Sequence, residues 1–311
     1  MTKRSCPVCK SNFAKPLMHF TIKDLISLNK TLKLDKLKNL IKGNEEFLMY
    51  SECESCKMVY NDHYWEDDLL NEYYGDIIDH DLSYQKVLEI KKKLQFSREW
   101  NSILRTLQFL GRKNVQGLKL LDFGCGWGDF MDAAFGCGIE VIGFDQDNKK
   151  IDSAKRRGHN IINSITELIK IGQVDIIVMN SVLEHLQNVD YYMNLMRQLL
   201  KPNGLIIILV MDYRNGYIKK NAKRLRNNKS CLTKYLNPIE HVNIYNYDTI
   251  KKTLELYGFE FITTGCVLTF TNHPFIRSNF VFVKVFNMIE SILSKFIVHG
   301  ELYITAYGIL R

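Results

Sequence analysis

The chain has 311 residues, of which 46% are hydrophobic and 24% are charged, a composition typical of a globular protein with a packed core. It contains no run of about twenty uncharged apolar residues, and its N-terminus carries charged residues and a cysteine pair, so we expect a cytoplasmic protein without a transmembrane segment. Lys and Arg exceed Asp and Glu by 42 − 34 = 8. The excess is concentrated between Met211 and Glu240, and it indicates either an anionic partner or a solvated, mobile insertion.

Two C-x-x-C pairs lie near the N-terminus, Cys6 with Cys9 and Cys53 with Cys56. Four thiolates in two such pairs are typical of a structural zinc site, and we predict a zinc-binding module over residues 1–66. A redox site is the alternative, but thioredoxin-like sites use a single pair. The long interval between the pairs predicts a helical insertion from Ile22 to Ile41, where apolar residues recur at helical spacing.

Residues 67–117 are predicted to form a helical connector. From residue 118 onwards, short apolar runs alternate with segments of helical period, which is typical of an α/β domain with a doubly wound parallel sheet. The expected strands cover 120–123, 141–144, 160–162, 174–179, 205–210, 259–266 and 302–310, and the expected helices cover 128–135, 149–157, 166–170, 189–200 and 248–257. Residues 211–240 are expected to form a basic insertion. Residues 274–299 are expected to form a helix docked on the domain, although contact with a membrane surface is left open.

The turn after the first expected strand of this domain carries glycines at positions 124, 126 and 128. In a doubly wound sheet the ligand lies beyond the carboxyl ends of the strands, where glycines allow close approach of the backbone. A dinucleotide would require G-x-G-x-x-G, whereas the spacing here is G-x-G-x-G. Asp122 before the glycines would repel a diphosphate but suits a cationic amino acid group. Asp145, about twenty residues further on, can accept hydrogen bonds from both hydroxyls of a ribose.

These residues resemble the motifs of class I S-adenosylmethionine-dependent methyltransferases, and the similarity extends over roughly residues 118–310 through 121–128, 143–145, 180–186 and 200–204. The resemblance implies a Rossmann-like seven-stranded sheet with a small N-terminal zinc-binding module, and S-adenosylmethionine as cofactor. The cofactor-binding residues that it implies are Asp122, Gly124, Cys125, Gly126, Asp145, Gln146, Ser164, Ile165 and Asn180. Where the family often has an acid beside the adenine, this chain has Asn163 and Ser164.

Two histidines are candidates for the catalytic base. The sulfonium is already an activated methyl donor, so the protein must align the acceptor and, for a hydroxyl or an acidic carbon, remove its proton. His185 follows the fourth expected strand of the domain and His241 follows the basic segment, and either imidazole can accept a proton near neutral pH. Packing near the cofactor is the alternative for His185. We assign no catalytic role to Tyr73 and Tyr74, because an aromatic pair at a helix end is more often packing.

The cysteine pairs, the Tyr-Tyr-Gly sequence and the methyltransferase domain together resemble a bacterial subgroup that modifies sugars, capsular precursors or other small metabolites. This resemblance implies methyl transfer to a sugar or nucleotide-linked sugar in polysaccharide biosynthesis, with the basic segment near a phosphate. An RNA methyltransferase is the alternative, but the chain has no recognisable RNA-binding module. A non-catalytic cofactor-binding protein is a third hypothesis, and the intact residues of the glycine loop argue against it. The sequence leaves the acceptor atom and the oligomeric state open.

Overall fold

The structure is a computed structural model, and it describes residues 2–28, 32–79, 81, 84–85, 115–135, 138–213, 215–227, 229, 236–262 and 303–310. The predicted helix at 274–299 therefore lies outside the described residues. So do residues 86–114 of the predicted connector, and Arg214 and residues 230–235 of the basic segment. Within the described ranges, no helix combines the length and the apolarity that crossing a membrane would require.

The N-terminal region forms two small antiparallel sheets. Strands β1 (Thr2–Lys3) and β5 (His63–Tyr64) pair with each other, and a four-stranded sheet has the order β11-β4-β3-β2. The strands of this second sheet are β2 (Ala14–His19), β3 (Met49–Cys53), β4 (Val59–Tyr60) and β11 (Asn243–Ile244). Because β11 comes from the far side of the predicted boundary at residue 66, the sheet joins the N-terminal region to the rest of the protein.

Short helices connect these strands to the remainder of the chain. The interval between the two cysteine pairs holds α1 (Ile22–Leu28), α2 (Leu34–Leu40) and a 3-10 turn at Glu45–Phe47, so the predicted helical run is divided into two helices. After β5 the chain forms α3 (Asp67–Glu72), which continues into one turn of π-helix at Tyr73–Ile77. Such turns are rare and are frequently found at functional sites.

A seven-stranded sheet forms the second part of the molecule, in the order β12-β13-β10-β9-β6-β7-β8. Its strands are β6 (Lys119–Phe123), β7 (Glu140–Phe144), β8 (Asn160–Ile162), β9 (Val174–Asn180), β10 (Leu200–Met211), β12 (Phe259–Ile262) and β13 (Tyr303–Leu310). Strands β8, β7, β6, β9 and β10 are parallel, and β13 is antiparallel to both of its neighbours. The predicted seven-stranded α/β fold is therefore confirmed.

The helices described in this part are α4 (Asp129–Phe135), α5 (Asn148–Arg156), α6 (Ile165–Lys170), α7 (Val189–Leu199), α8 (Asn215–Arg226) and α9 (Tyr247–Leu256). Five of them lie close to their predicted positions, and α8 is a helix that the sequence did not predict. Asp147 caps the N-terminus of helix α5, because its carboxylate accepts hydrogen bonds from the backbone N–H groups of Lys149 and Lys150. The order of the sheet reverses at β6, because the chain proceeds to β7 on one side and later to β9 on the other. The carboxyl ends of these strands therefore form the crevice in which such folds bind ligands.

Helix α8 changes the interpretation of the basic segment. Ile218 and Ala222 are buried one helical turn apart, in an apolar cluster with Phe20, Tyr50 and Trp65 of the N-terminal region. The basic segment over Asn215–Arg226 is therefore a helix docked on the core, while its lysines are exposed. The physical reason is that Ile218, Ala222 and Leu225 recur at helical spacing and form an apolar stripe that faces the core.

Candidate active site and cysteine cluster

The glycine loop follows β6 at the reversal point of the sheet. Gly124 has φ +81° and Gly126 has φ +54°, a left-handed conformation that glycine adopts without steric cost. A Cβ on Gly124 would lie 2.4 Å from Cγ2 of Val182, whereas a Cβ on Gly126 would meet nothing within 4 Å. Gly126 therefore faces open space beyond the end of the strand, where a ligand can approach its backbone.

The carboxylate of Asp145 organises this loop. Its Oδ2 accepts a hydrogen bond of 2.8 Å from the backbone N–H of Gly126, and its Oδ1 accepts one of 2.9 Å from the N–H of Asp147. The carbonyl of Phe144 accepts two further bonds, from the N–H groups of Gly124 and Cys125. The turns after β6 and β7 are thus tied together. Because a carboxylate oxygen can accept two hydrogen bonds, Asp145 retains capacity for hydroxyl donors.

The other residues that the sequence assigned to the cofactor lie along the same edge of the sheet. Asp122 is buried near the end of β6, between Gly143 and Val178 in the strand register. Asn180 ends β9, and Ser164 and Ile165 stand where α6 begins. Gln146 is exposed. These residues lie at four neighbouring strand ends, so the structure brings them to one crevice.

Cys125 differs from its neighbours in the loop. Its side chain is buried among Met131, Ile151, Ala154 and Ile161, and burial raises the pKa of its thiol. A buried thiol with a raised pKa is a poor nucleophile. Cys125 can therefore contact a cofactor in the crevice through its backbone, while its sulfur packs against the helices.

The two predicted histidines lie next to each other. His185 ends the 3-10 turn at Leu183–His185 directly after β9, and its ring centroid is 4.6 Å from that of His241. Nδ1 of His185 lies 2.8 Å from the carbonyl oxygen of Glu240, and since a carbonyl can only accept, Nδ1 carries the proton. Burial and the neighbouring His241 hold the pKa of His185 well below its ordinary value. His185 is therefore neutral, with Nε2 as its basic atom.

Three residues beside these histidines were not assigned from the sequence. One oxygen of the Glu240 carboxylate and one ring nitrogen each of His185 and His241 lie within 4.8 Å of one another. The hydroxyl of Tyr74, on the π-helical turn, lies 3.5 Å from Nδ1 of His185, and burial raises its pKa well above the ordinary value. Burial also raises the pKa of Glu184 to about 8. In the sequence, Glu184 and Glu240 could be recognised because each directly precedes a predicted histidine. Tyr74 could be recognised from the Tyr-Tyr-Gly sequence.

The four predicted zinc ligands converge into one cluster. The Sγ atoms of Cys6 and Cys56 lie 3.5 Å apart and those of Cys9 and Cys53 lie 3.4 Å apart, well beyond the length of a disulfide bond. Tetrahedral coordination with Zn–S bonds of about 2.3 Å gives sulfur–sulfur separations of about 3.8 Å, so the cluster is close to the size that zinc requires. The hydrogen bond between the two thiols lowers the pKa of Cys56 and raises that of Cys6, so this pair favours one thiolate, at Cys56.

The two cysteine pairs also share their backbone geometry. Lys10 and Lys57, one residue after each pair, have φ of 61° and 65°. Their N–H groups donate hydrogen bonds of 3.0 and 3.1 Å to the carbonyls of Cys6 and Cys53. Two matched turns that direct four sulfur atoms to one point fit a tetrahedral metal site.

The sheet topology and the glycine loop after the central strand are those of the class I S-adenosylmethionine-dependent methyltransferases, and the match to a family profile supports this class. A family profile described as a methyltransferase domain matches residues 94–264, more than half of the chain. The chain belongs to this family.

Similar curated proteins include the ubiquinone biosynthesis O-methyltransferase of Bradyrhizobium diazoefficiens, which is 30% identical over 122 residues, covering 37% of this chain and 46% of that protein. The enzyme of the same name from Bartonella bacilliformis is 33% identical over 104 residues, covering 31% of this chain and 42% of that protein. The chain thus matches less than half the length of these relatives.

Two solved structures are similar in fold. The plantazolicin methyltransferase BamL, in complex with a triazolic desmethylPZN analog and SAH, has a TM-score of 0.53 at 17% identity and covers 78% of this chain and 94% of that chain. Magnesium protoporphyrin IX methyltransferase of Synechocystis PCC 6803 with bound SAH has a TM-score of 0.51 at 15% identity, and the match covers 79% of this chain and 100% of that chain. At these identities the likeness shows the fold alone.

Proposed function

We propose that the protein transfers the methyl group of S-adenosylmethionine to a small molecule whose proton is accepted at the His185–Glu240–His241 group. The observation that carries this proposal is the convergence of these three side chains within 4.8 Å, with His185 in the turn that follows the strand ending at Asn180. A proton acceptor beside the methyl donor is what methylation of a hydroxyl or an acidic carbon requires.

The proposed cofactor contacts follow the crevice. Asp145 would accept hydrogen bonds from the ribose hydroxyls, with Gln146 beside it, and the backbone at Gly126 faces the open space that the cofactor would fill. The methionine end would lie near Asp122, Gly124 and Cys125. The adenine would lie near Ser164 and Ile165, and Asn180 near the sulfonium. This placement is supported by the position of all these residues at neighbouring strand ends.

The chemistry of the proposed step is a displacement at the methyl carbon. S-adenosylmethionine, when bound, would supply the activated methyl group: the acceptor atom would bond to the methyl carbon as the carbon–sulfur bond breaks, and the sulfur would keep the electron pair of that bond. The acceptor proton passes to an imidazole, either His241 or Nε2 of His185, which becomes cationic. Glu240 beside the two rings would stabilise that positive charge. Tyr74 remains a neutral phenol and can donate a hydrogen bond to an acceptor oxygen.

The acceptor class that we propose is a nucleotide-linked sugar or a similar anionic metabolite. Its support is helix α8, on which Lys219, Lys220, Lys223 and Arg226 are exposed while Ile218 and Ala222 fix the helix to the core. Fixed positive charges attract phosphate. A second candidate is an uncharged acceptor hydroxyl, favoured by the curated relatives that are named as O-methyltransferases.

The cysteine cluster is proposed to hold a structural zinc ion, which contributes folding free energy and takes no part in the methyl transfer. Cys6, Cys9, Cys53 and Cys56 would be its ligands. The proposal is supported by their convergence and by the matched turns that follow each pair.

The proposed base is tested by His241→Ala. Radiolabelled S-adenosylmethionine is offered with nucleotide sugars, hydroxylated aromatic acids and RNA, and the acceptor that becomes labelled identifies the substrate. With that acceptor we expect His241→Ala to lower kcat by about 10²–10⁴-fold, because a general base typically contributes this much. The dissociation constant for the cofactor, measured by isothermal titration, should stay unchanged.

The matched control is His19→Ala, which removes an exposed histidine and should alter neither value. Unaltered turnover of His241→Ala would show that His241 is not the base. Absence of cofactor binding to the intact protein would overturn the proposed function as a whole.

A further inference from the structure

Arg4 is a buried cation two residues before the first cysteine of the cluster. Its side chain is 3% exposed, and its guanidinium lies 5.6 and 5.7 Å from the ring centroids of Tyr60 and Tyr64. Among the residues that the structure describes, no carboxylate lies within ion-pair distance of it. Burying a charge without a counter-charge is unfavourable unless other interactions compensate. The side chain that accepts a hydrogen bond from its guanidinium therefore indicates its role.

That contact is Asn243 on β11. Nη2 of Arg4 donates a hydrogen bond of 2.7 Å to Oδ1 of Asn243, whose side chain is fully buried. A guanidinium has donors and no acceptor, so the amide must turn its oxygen towards Arg4. This orientation directs Nδ2 of Asn243 in the opposite direction.

The amide nitrogen of Asn243 holds the turn that carries His185. Nδ2 donates hydrogen bonds of 3.1 Å to the carbonyl of Leu183 and of 2.8 Å to the carbonyl of Leu186. These two carbonyls lie on either side of His185, which in turn donates to the carbonyl of Glu240. If the amide were rotated by 180°, its oxygen would face both carbonyls and both bonds would be lost.

We infer that Arg4 is a positioning residue: it fixes the orientation of the Asn243 amide and thereby the place of His185 beside Glu240 and His241. The inference rests on the proposed function, because it supplies the reason why the place of His185 matters.

The test compares Arg4→Met with Lys3→Met, which removes a neighbouring exposed cation. In Arg4→Met we expect kcat to fall by about ten- to a hundredfold, because displacement of a reacting group by about 1 Å has an effect of this size. Cofactor affinity and zinc content should match the intact protein. Arg4→Lys, which retains the charge and a donor, should restore part of the turnover, and Lys3→Met should leave it unchanged.

A second measurement reports position independently of activity. In protein labelled with 15N-histidine, the ring signals of His185 are identified by their disappearance in His185→Gln. We expect these signals to shift in Arg4→Met and to stay in place in Lys3→Met. Unmoved His185 signals in folded Arg4→Met would overturn the inference.

If Arg4→Met does not fold, Asn243→Asp serves instead, because it keeps an acceptor for Arg4 and removes both donors to the turn. It should shift the same His185 signals, and unmoved signals would again overturn the inference. Failure of the proposed function looks different: His185→Gln and His241→Ala would then retain full turnover while the His185 signals still respond to Arg4.

Discussion

Glu184 is a buried carboxyl group whose protonation couples stability to pH. Burial raises its pKa from 4.5 to about 8, so between these values the folded protein holds a proton that the unfolded chain releases. The free energy of unfolding therefore contains a contribution that is complete below pH 4.5 and is lost as the pH rises towards 8. Its slope is on the order of 1.4 kcal/mol per pH unit.

Glu184→Gln removes this contribution. We expect the difference in the free energy of unfolding, variant minus intact protein, to be larger at pH 8 than at pH 5. Urea denaturation at the two pH values measures this difference. Subtracting the intact protein removes the contributions of other titrating groups. One of these is His185, whose lowered pKa makes the stability rise with pH up to about 6.5. Glu140→Gln, at an exposed carboxylate, is the control. Parallel pH profiles for both variants would contradict the assigned protonation of Glu184.

At the scale of single residues, the sequence could identify the candidate histidines but not their surroundings. His185 and His241 stand in recognisable local contexts, after an apolar strand and after a basic segment. The contact of Tyr74 with His185 joins positions 111 residues apart, and that of His185 with Glu240 joins positions 55 apart. Local periodicity carries no information about such pairs, so these neighbours emerge only from the folded chain.

At the scale of elements, predictability followed the length and burial of each segment. The parallel strands were located because residues such as Ile176 and Ile177 are buried on both faces and form continuous apolar runs. Strands β4 and β11 have two residues each, too short for any alternation to be visible. The sequence predicts an insertion at helix α8, because its basic residues outnumber the apolar residues that dock it.

The proposal of an anionic acceptor can be tested by changing the charge of helix α8. We expect the double substitution Lys219→Glu and Lys223→Glu to raise the KM for an anionic acceptor by about tenfold at low salt, because it replaces attraction by repulsion. The increase should diminish at high salt, where exposed charges are screened.

The control is Lys149→Glu with Lys155→Glu on α5, which makes the same change of charge at exposed positions of another helix. Equal effects of the two pairs would mean that net charge matters and the location of α8 does not. An unchanged KM in both would remove the support that α8 lends to an anionic acceptor.

At the scale of the whole molecule, the N-terminal region and the methyltransferase sheet share their packing. Cys6 and Cys53 lie in the same apolar cluster as Leu121 and Met179. Lys10 forms an ion pair of 2.6 Å with Asp190 of α7, and Tyr257 after α9 hydrogen-bonds to the same carboxylate. The cysteine cluster is thus attached to two helices of the large sheet. Boundaries such as 1–66 remain predictions, because packing between distant segments cannot be recognised from local sequence patterns.

Shared packing predicts how the protein responds to loss of the proposed zinc ion. We expect protein whose zinc has been removed by a chelator to unfold in a single calorimetric transition, with Tm lower by roughly 10 °C, because several kcal/mol of metal-derived folding free energy is lost throughout. Cys9→Ser should reproduce the shift. An additional low-temperature transition, with the main one unmoved, would show that the cysteine cluster folds separately. Purified protein that contains no stoichiometric zinc would refute the metal site itself.

The pairing of β11 with β4 also has a consequence for the order in which the protein is made. Tyr50 hydrogen-bonds to the carbonyl of His241, 191 residues away, and Arg4 to Asn243, 239 residues away. Trp65 bonds to the carbonyl of Pro238. During synthesis these N-terminal side chains emerge long before their partners, at about 5–20 residues per second. The closure of these long loops, and with it the assembly of the proposed catalytic group, must therefore await the last third of the chain.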